Sequence, residues 1–298
     1  MATDRSELTK RVIPKMILGN DAPGSLTAPP PPLLGASPAA RAAARFAING
    51  SAIVTGGTGD LGFTACRALL EHGLSGLAIF DLNITEGAAK VSALQAEFPD
   101  ARIEFMAVNV TDAAAVNSAV QAAATLLGGI DIFLCFAGVV GAVHALDTTP
   151  ETFRFLLDVN TTGSFFCAQA AAKAMKESGR GGSIVLTSSI SAHRVNYPQP
   201  QVGYNVAKAG VLAMKDSLAA EWATYGIRVN SISPGYMDTI LNEGAGLDEH
   251  KKEWVRRHPM GRMGQPEELT GAVILLASKA GTYITGADFL VDGGQTIL

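Results

Sequence analysis

From Phe46 onward the chain alternates short runs of β-branched and aliphatic residues with longer stretches whose apolar positions recur every three or four residues. The short runs, each bounded by Gly, Asp, Asn or Pro, predict strands over Ala52–Val54, Leu77–Phe80, Ile103–Ala107, Ile132–Cys135, Ser183–Leu186, Arg228–Ile232 and Phe289–Val291. The longer stretches predict helices over Leu61–His72, Thr85–Glu97, Ala113–Leu127, Glu151–Lys176, Gly203–Tyr225 and Pro266–Ser278. Strands that are apolar at nearly every position cannot turn one face to water. Alternating with helices, they predict a single α/β domain: a doubly wound, seven-stranded parallel sheet with helices on both faces.

The first 45 residues break this rhythm. They hold four consecutive prolines, Pro29 to Pro32, and an alanine-rich stretch from Ala39 to Ala44, with no sustained hydrophobic period. Residues 1–45 are read as an extension, poorly ordered or laid on the surface, and residues 46–298 as the domain. Six basic residues (Arg5, Lys10, Arg11, Lys15, Arg41, Arg45) against three acidic ones (Asp4, Glu7, Asp21) keep mitochondrial targeting open, although Asp4, Glu7 and the proline run oppose an amphipathic targeting helix. An oligomer contact is a third reading of the same segment.

Composition narrows the partners. Of 298 residues 17% are charged, the net charge is −4, and no block of five like charges exists to attract nucleic acid or anionic lipid. A polyanion partner is therefore not expected. The longest apolar runs, such as Phe133–Val143, fall short of the ~20 residues that span a bilayer. Cys66, Cys135 and Cys167 are odd in number, widely spaced and set among apolar neighbours, which fits reduced core thiols rather than disulfides or a metal site, and a reducing, cytoplasmic compartment.

Two constellations carry candidate chemistry. Thr55-Gly56-Gly57-Thr58-Gly59-Asp60-Leu61-Gly62 follows the first predicted strand and opens a helix, where glycines let the backbone approach a diphosphate and the helix N-terminus attracts the anion. Asp81 ends the second strand 25 residues after Gly56, near the ~20-residue spacing at which an acid receives ribose hydroxyls. A carboxylate there repels a 2′-phosphate and no Arg follows it, so NAD(H) is favoured and NADP(H) is left open. The plain alternative is that Asp81 only starts a turn with Asn83. Further on, Tyr204 and Lys208 stand four apart on a predicted helix and so share a face, where a fixed cation stabilises a phenolate.

Taken in order, these segments resemble the short-chain dehydrogenase/reductase family from Phe46 through Gly294. The glycine turn and Asp81 are followed by Ala137-Gly138, Val159-Asn160, Ser188-Ser189, Tyr204/Lys208, Gly226-Ile227-Arg228-Val229-Asn230, Pro234-Gly235 leading to Thr239, Arg262 to Glu268, and Val291-Asp292-Gly293-Gly294. The resemblance implies a Rossmann-like domain and hydride transfer between a nicotinamide and a secondary alcohol or ketone. It implies Tyr204 as general acid/base, Lys208 lowering the Tyr204 pKa and holding the nicotinamide ribose, Ser189 on the substrate oxygen, and Asn160 supporting a water-mediated proton path to Lys208. Cofactor contacts are implied along Thr55–Gly62, at Asp81 and Leu82, at Asn109 and Val110 beside the adenine, and at Ala137, Gly138, Pro234, Gly235, Met237 and Thr239 about the nicotinamide. No metal is called for, and a homotetramer or homodimer is implied.

Four departures from the family pattern stand out. Asp60 occupies the place of a glycine and is expected to cap the helix; Cys135-Phe136 replaces two asparagines; Asn109 replaces an aspartate. Ser189 precedes Tyr204 by 15 positions where about 13 is usual, so Ser191 competes with it; Ser189 is preferred because it follows the strand directly, with Pro198-Gln199-Pro200-Gln201 read as an inserted loop. His144, His193 and Asn196 are the candidate substrate contacts, and Trp254 with the Lys251–Arg257 charges is read as a lid segment. The Ser188–Lys208 segment and the Phe80-Asp81-Leu82 strand end resemble the fungal polyol and ketose group, the arabinitol, mannitol and sorbose enzymes. The rival readings are a ketone-tailoring step in secondary metabolism and a nicotinamide-binding sensor without turnover.

Overall fold

The computed structural model describes residues 12–298 apart from residues 21, 23, 33 and 243. Seven strands, β1 (Ser51–Thr55), β2 (Gly76–Asp81), β3 (Arg102–Ala107), β4 (Ile132–Cys135), β5 (Gly182–Thr187), β6 (Ile227–Pro234) and β7 (Asp288–Val291), pair in the order 3-2-1-4-5-6-7, every pair parallel. Their side chains divide by alternation. Ile53, Phe133, Ile184 and Leu186 point into one core, while Ala52, Val54, Ile132, Leu134 and Val185 point into the other.

The first core is closed by α4 (Ala113–Leu127), α6 (Ser164–Ser178) and α7 (Val202–Trp222), the second by α2 (Asp60–Glu71), α3 (Ile84–Glu97) and α9 (Thr270–Ala277). Local signals set the ends. Asp112 Oδ1 accepts from the Ala114 and Ala115 N–H groups to start α4, and Gly128, at φ +76°, stops it. The order of strands reverses direction between β1 and β4, so their carboxyl ends part over a crevice.

The predicted helix Glu151–Lys176 is two helices, α5 (Pro150–Leu157) and α6, joined by a wide π-helical turn at Asp158–Gly163. The turn rotates Asn160 inward, fully buried, where it donates to the Val139 and Leu156 carbonyls and accepts from the Val139 N–H. Such turns mark helices bent around a site.

The extension is not featureless. After residues without regular structure, α1 (Pro38–Phe46) is capped by Ser37, whose Oγ accepts from the Ala40 N–H. The Ser-Pro start was the sequence signal for this helix, which the lack of an apolar period hid. It buries none of its residues, touches the turn at Lys279–Gly281, and Leu26 lies against Gly226. Asp4, Arg5, Glu7, Lys10, Arg11 and Asp21, which weighed in the targeting argument, lie outside the described residues. A further helix, α8 (Asp248–Arg256), forms in the segment read as a lid. Among the described residues no helix is long and apolar enough to cross a membrane, and the three cysteines are buried and free.

Candidate active site

The crevice between β1 and β4 has a volume of about 540 Å³ and is lined by Gly56, Thr58, Gly59, Asp81, Leu82, Asn109, Val110, Ala137 and Gly138. Its floor requires glycine. Gly56 sits at φ +64°, and a Cβ there would lie 2.6 Å from the Ala137 nitrogen; a Cβ on Gly62 would lie 2.3 Å from the Gly56 carbonyl. This tight turn into the start of α2 is a cradle a diphosphate fits. Thr55 supports the wall from below, its Oγ1 accepting from the Ala137 N–H.

At the crevice edge, Asp81 Oδ2 accepts from the Thr58 N–H (3.1 Å) and hydroxyl (2.6 Å), and Oδ1 accepts from the Leu82 N–H (2.7 Å). Three of about four acceptor positions on the carboxylate are filled, leaving Oδ1 able to receive one more donor. Asn109 Oδ1 is taken by the Thr111 N–H and hydroxyl. Asp60 departs from expectation: Gly59 is the N-cap, and Asp60 Oδ2 instead accepts from the Ile240 N–H at 2.8 Å, tying α2 to the loop after β6.

The titratable groups meet above β5. Ser188 donates to the Lys208 carbonyl, and Ser189 and Tyr204 face one cavity. Ser189 and Ser191, rivals by spacing, are bonded to each other: the hydroxyls are 3.1 Å apart, the Ser191 N–H donates to Ser189 Oγ, and Gln201 Nε2 holds Ser191 Oγ. Lys208 Nζ lies 5.6 Å from the centre of the Tyr204 ring and donates to the Thr187 carbonyl at 2.8 Å. Burial pushes the Tyr204 phenol up to about 12, against a lowering influence of the Ser189 hydroxyl, and pushes the Lys208 ammonium down to about 8. The expected lowering of Tyr204 by Lys208 is therefore not what dominates; the ammonium faces the ring, and desolvation outweighs it. Asn160 does not bond Lys208, since Val139 and Leu156 occupy its amide.

Beyond this cluster opens a cavity of about 420 Å³. Ser189, Ser191 and Tyr204 line its inner end together with Leu61, Pro234, Gly235, Met237 and Thr239, and the loop before α7 supplies Asn196, Gln199 and Gln201. Tyr236 follows the Pro234-Gly235 turn and stacks on Trp254 of α8, ring centres 4.1 Å apart at 8°. Of the expected substrate contacts only Asn196 is here. His193 turns away because Asp288 and Ser233 hold its Nε2 at 2.9 and 3.2 Å, and His144 is exposed outside the lining. Sequence reasoning missed Tyr236, His250 and Gln199 as substrate-side residues; a tyrosine directly after the Pro-Gly turn was the available signal for the first, while His250 reaches the cavity only through the path of α8.

Comparison with known proteins accords with this geometry. The family model described as enoyl-(acyl carrier protein) reductase matches residues 57–296. An NADP-dependent mannitol dehydrogenase of Hypocrea jecorina is 38% identical over 255 residues, spanning 84% of this chain and 94% of the relative. A ribulose-forming D-arabinitol 2-dehydrogenase of Candida albicans is 38% identical over 265 residues, spanning 84% and 94%. The crystal structure of a short-chain type dehydrogenase/reductase from Mycobacterium marinum superposes with a TM-score of 0.81 at 36% identity, covering 85% of this chain and 98% of that one.

Proposed function

Since the chain belongs to the short-chain dehydrogenase/reductase family, and so is an oxidoreductase of alcohols and ketones with a nicotinamide cofactor, we propose that it interconverts a polyol and its ketose, with Tyr204 as the acid/base. The observation that carries this reading is the meeting of Ser189 and Tyr204 in the lining of one cavity, with Lys208 Nζ over the Tyr204 ring.

A ketone oxygen lodged between the Ser189 hydroxyl and the Tyr204 phenol receives two hydrogen bonds. Tyr204, protonated at neutral pH, is the group able to give its proton to that oxygen; Ser189 holds the oxygen while negative charge builds on it. Lys208, anchored by the Thr187 carbonyl, places a cation at the ring that becomes phenolate. Gly56–Gly62, Asp81 and Gly138 would hold the nicotinamide cofactor, which would supply the hydride when bound. In alcohol oxidation each proton step runs backwards, with the phenolate as base.

Polyol chemistry is supported by the substrates in the relatives' names and by the amide and hydroxyl groups lining the cavity. For the cofactor, the mannitol relative's name weighs toward NADP(H). The chain's own Asp81 weighs toward NAD(H), because its ionised carboxylate sits at the crevice edge where a 2′-phosphate would be repelled. We take NAD(H) as the preferred form.

Tyr204→Phe keeps the ring and removes the proton. It is expected to bind NADH like the parent and to lose turnover by about 10²–10⁴. More than a tenth of parental activity would overturn the role of Tyr204, and a parent that ignores all five- and six-carbon polyols while reducing bulky apolar ketones would overturn the substrate class.

A further inference from the structure

The Tyr236 oxygen accepts two hydrogen bonds, from Asn196 Nδ2 at 3.1 Å and from Gln199 Nε2 at 2.7 Å. The orientation of Gln199 is fixed independently: Trp254 Nε1 can only donate, and it donates to Gln199 Oε1 at 3.0 Å, so the amide nitrogen must face the phenol. A phenol oxygen has two acceptor positions, and both are filled. Its own proton must then point elsewhere, and no protein acceptor is bonded to it among the described residues, although Tyr236 is only 8% exposed. Beside it, Asn196 Oδ1 and His250 Nδ1 are buried without a partner, and all three residues line the same cavity.

We infer that Tyr236, Asn196 and His250 form a hydroxyl-recognition subsite that binds an alcohol group of the substrate on a carbon other than the reacting one. A hydroxyl both accepts and donates, so it can take the Tyr236 proton and give its own to Asn196 Oδ1 or His250 Nδ1, satisfying groups that a hydrocarbon chain would leave stranded. The subsite shares its cavity with the proposed seat of the reacting carbonyl, since Tyr236, Asn196 and His250 line it together with Ser189 and Tyr204. The stack on Trp254 and the two amides fix the Tyr236 ring, so the donor is preorganised. The inference rests on the polyol reading above and adds to it which residues tell a ketose from a plain ketone.

The test compares kcat/KM for D-ribulose, D-fructose and L-sorbose with that for 2-pentanone and 2-hexanone, which keep the chain and lack the hydroxyls. In Tyr236→Phe, with NADH binding and melting profile as checks on folding, the ketose-to-ketone ratio is expected to fall about tenfold to hundredfold, chiefly through KM. Asn196→Leu is expected to lower the same ratio and decides the matter if Tyr236→Phe does not fold. An unchanged ratio in a parent that accepts ketoses, or equal losses on both compound sets, overturns the subsite and leaves the polyol reading standing. A parent inactive on every ketose and on the matching polyols overturns that reading and the subsite with it.

Discussion

A buried ammonium titrates where its surroundings put it. Lys208, pushed down to about 8, loses its charge just above neutral pH, while Tyr204, pushed up to about 12, keeps its proton. For carbonyl reduction, kcat/KM is therefore expected to stay level to about pH 7 and to decline through an apparent pKa near 8, as the cation that supports the nascent phenolate disappears. A profile level to pH 10 would show that Lys208 does not control the step. Stability responds to both groups. Between about 8 and 10.5 the unfolded chain binds more protons at Lys208, so the folded state gains as pH rises; between 10 and about 12 the folded chain binds more at Tyr204, and the gain reverses. At Asp81, replacement by Ser together with Leu82→Arg is expected to move the NADH-to-NADPH ratio of kcat/KM toward NADPH, and a parent already preferring NADPH would refute the role given to that carboxylate. Spacing made the Tyr204/Lys208 pair legible, because four residues on a helix is one turn. It could not show the directions of their titration, since burial is contributed by loops and strands distant in sequence.

Among the elements, α8 depends on a few side chains to stay in place. Its Trp254 is tied to the loop before α7 through Gln199, and the loop is tied in turn to Tyr236 at the end of β6. Trp254→Phe preserves the stack and deletes the N–H, so KM for substrate is expected to rise about two- to tenfold, the worth of one net hydrogen bond, with the NADH dissociation constant unmoved. Equal weakening of NADH would show that the helix braces the whole site rather than the cavity. The central strands were plain in the sequence because β1, β2 and β4 are apolar on both faces between turn residues. The break in the predicted Glu151–Lys176 helix was hidden, since the backbone stays helical through the π-helical turn around Asn160 and no proline or non-helical cap marks it. For α8 the charges around Trp254 gave the amphipathic pattern of a helix, but not that Trp254, its one buried residue, stacks on Tyr236.

On the scale of the whole molecule, the helix Pro38–Phe46 and Leu26 of the extension lie against the domain without entering its core. Removing residues 1–36, which leaves α1 and its Ser37 cap, is expected to keep the NADH dissociation constant within about twofold and the melting temperature within a few degrees. Loss of the folded domain would make the arm part of the core instead. Its placement against Gly226 and Lys279–Gly281 could not be read from sequence, because neither contact follows a period. The parallel order of the sheet has another consequence. The walls of the nucleotide crevice come from residues 56 to 159, and those of the substrate cavity, apart from Leu61, Val140 and Ala142, from residues 187 to 254. The proposed seat of the coenzyme's adenine half and the proposed substrate cavity are thus written in successive halves of the polypeptide, with the nicotinamide end expected at Pro234–Thr239, where the second half takes over. A recombination joint within α6 would exchange one preference while keeping most of the other, so a lineage carrying this sheet can acquire new substrates by mutation in its second half without relearning how to hold a nucleotide.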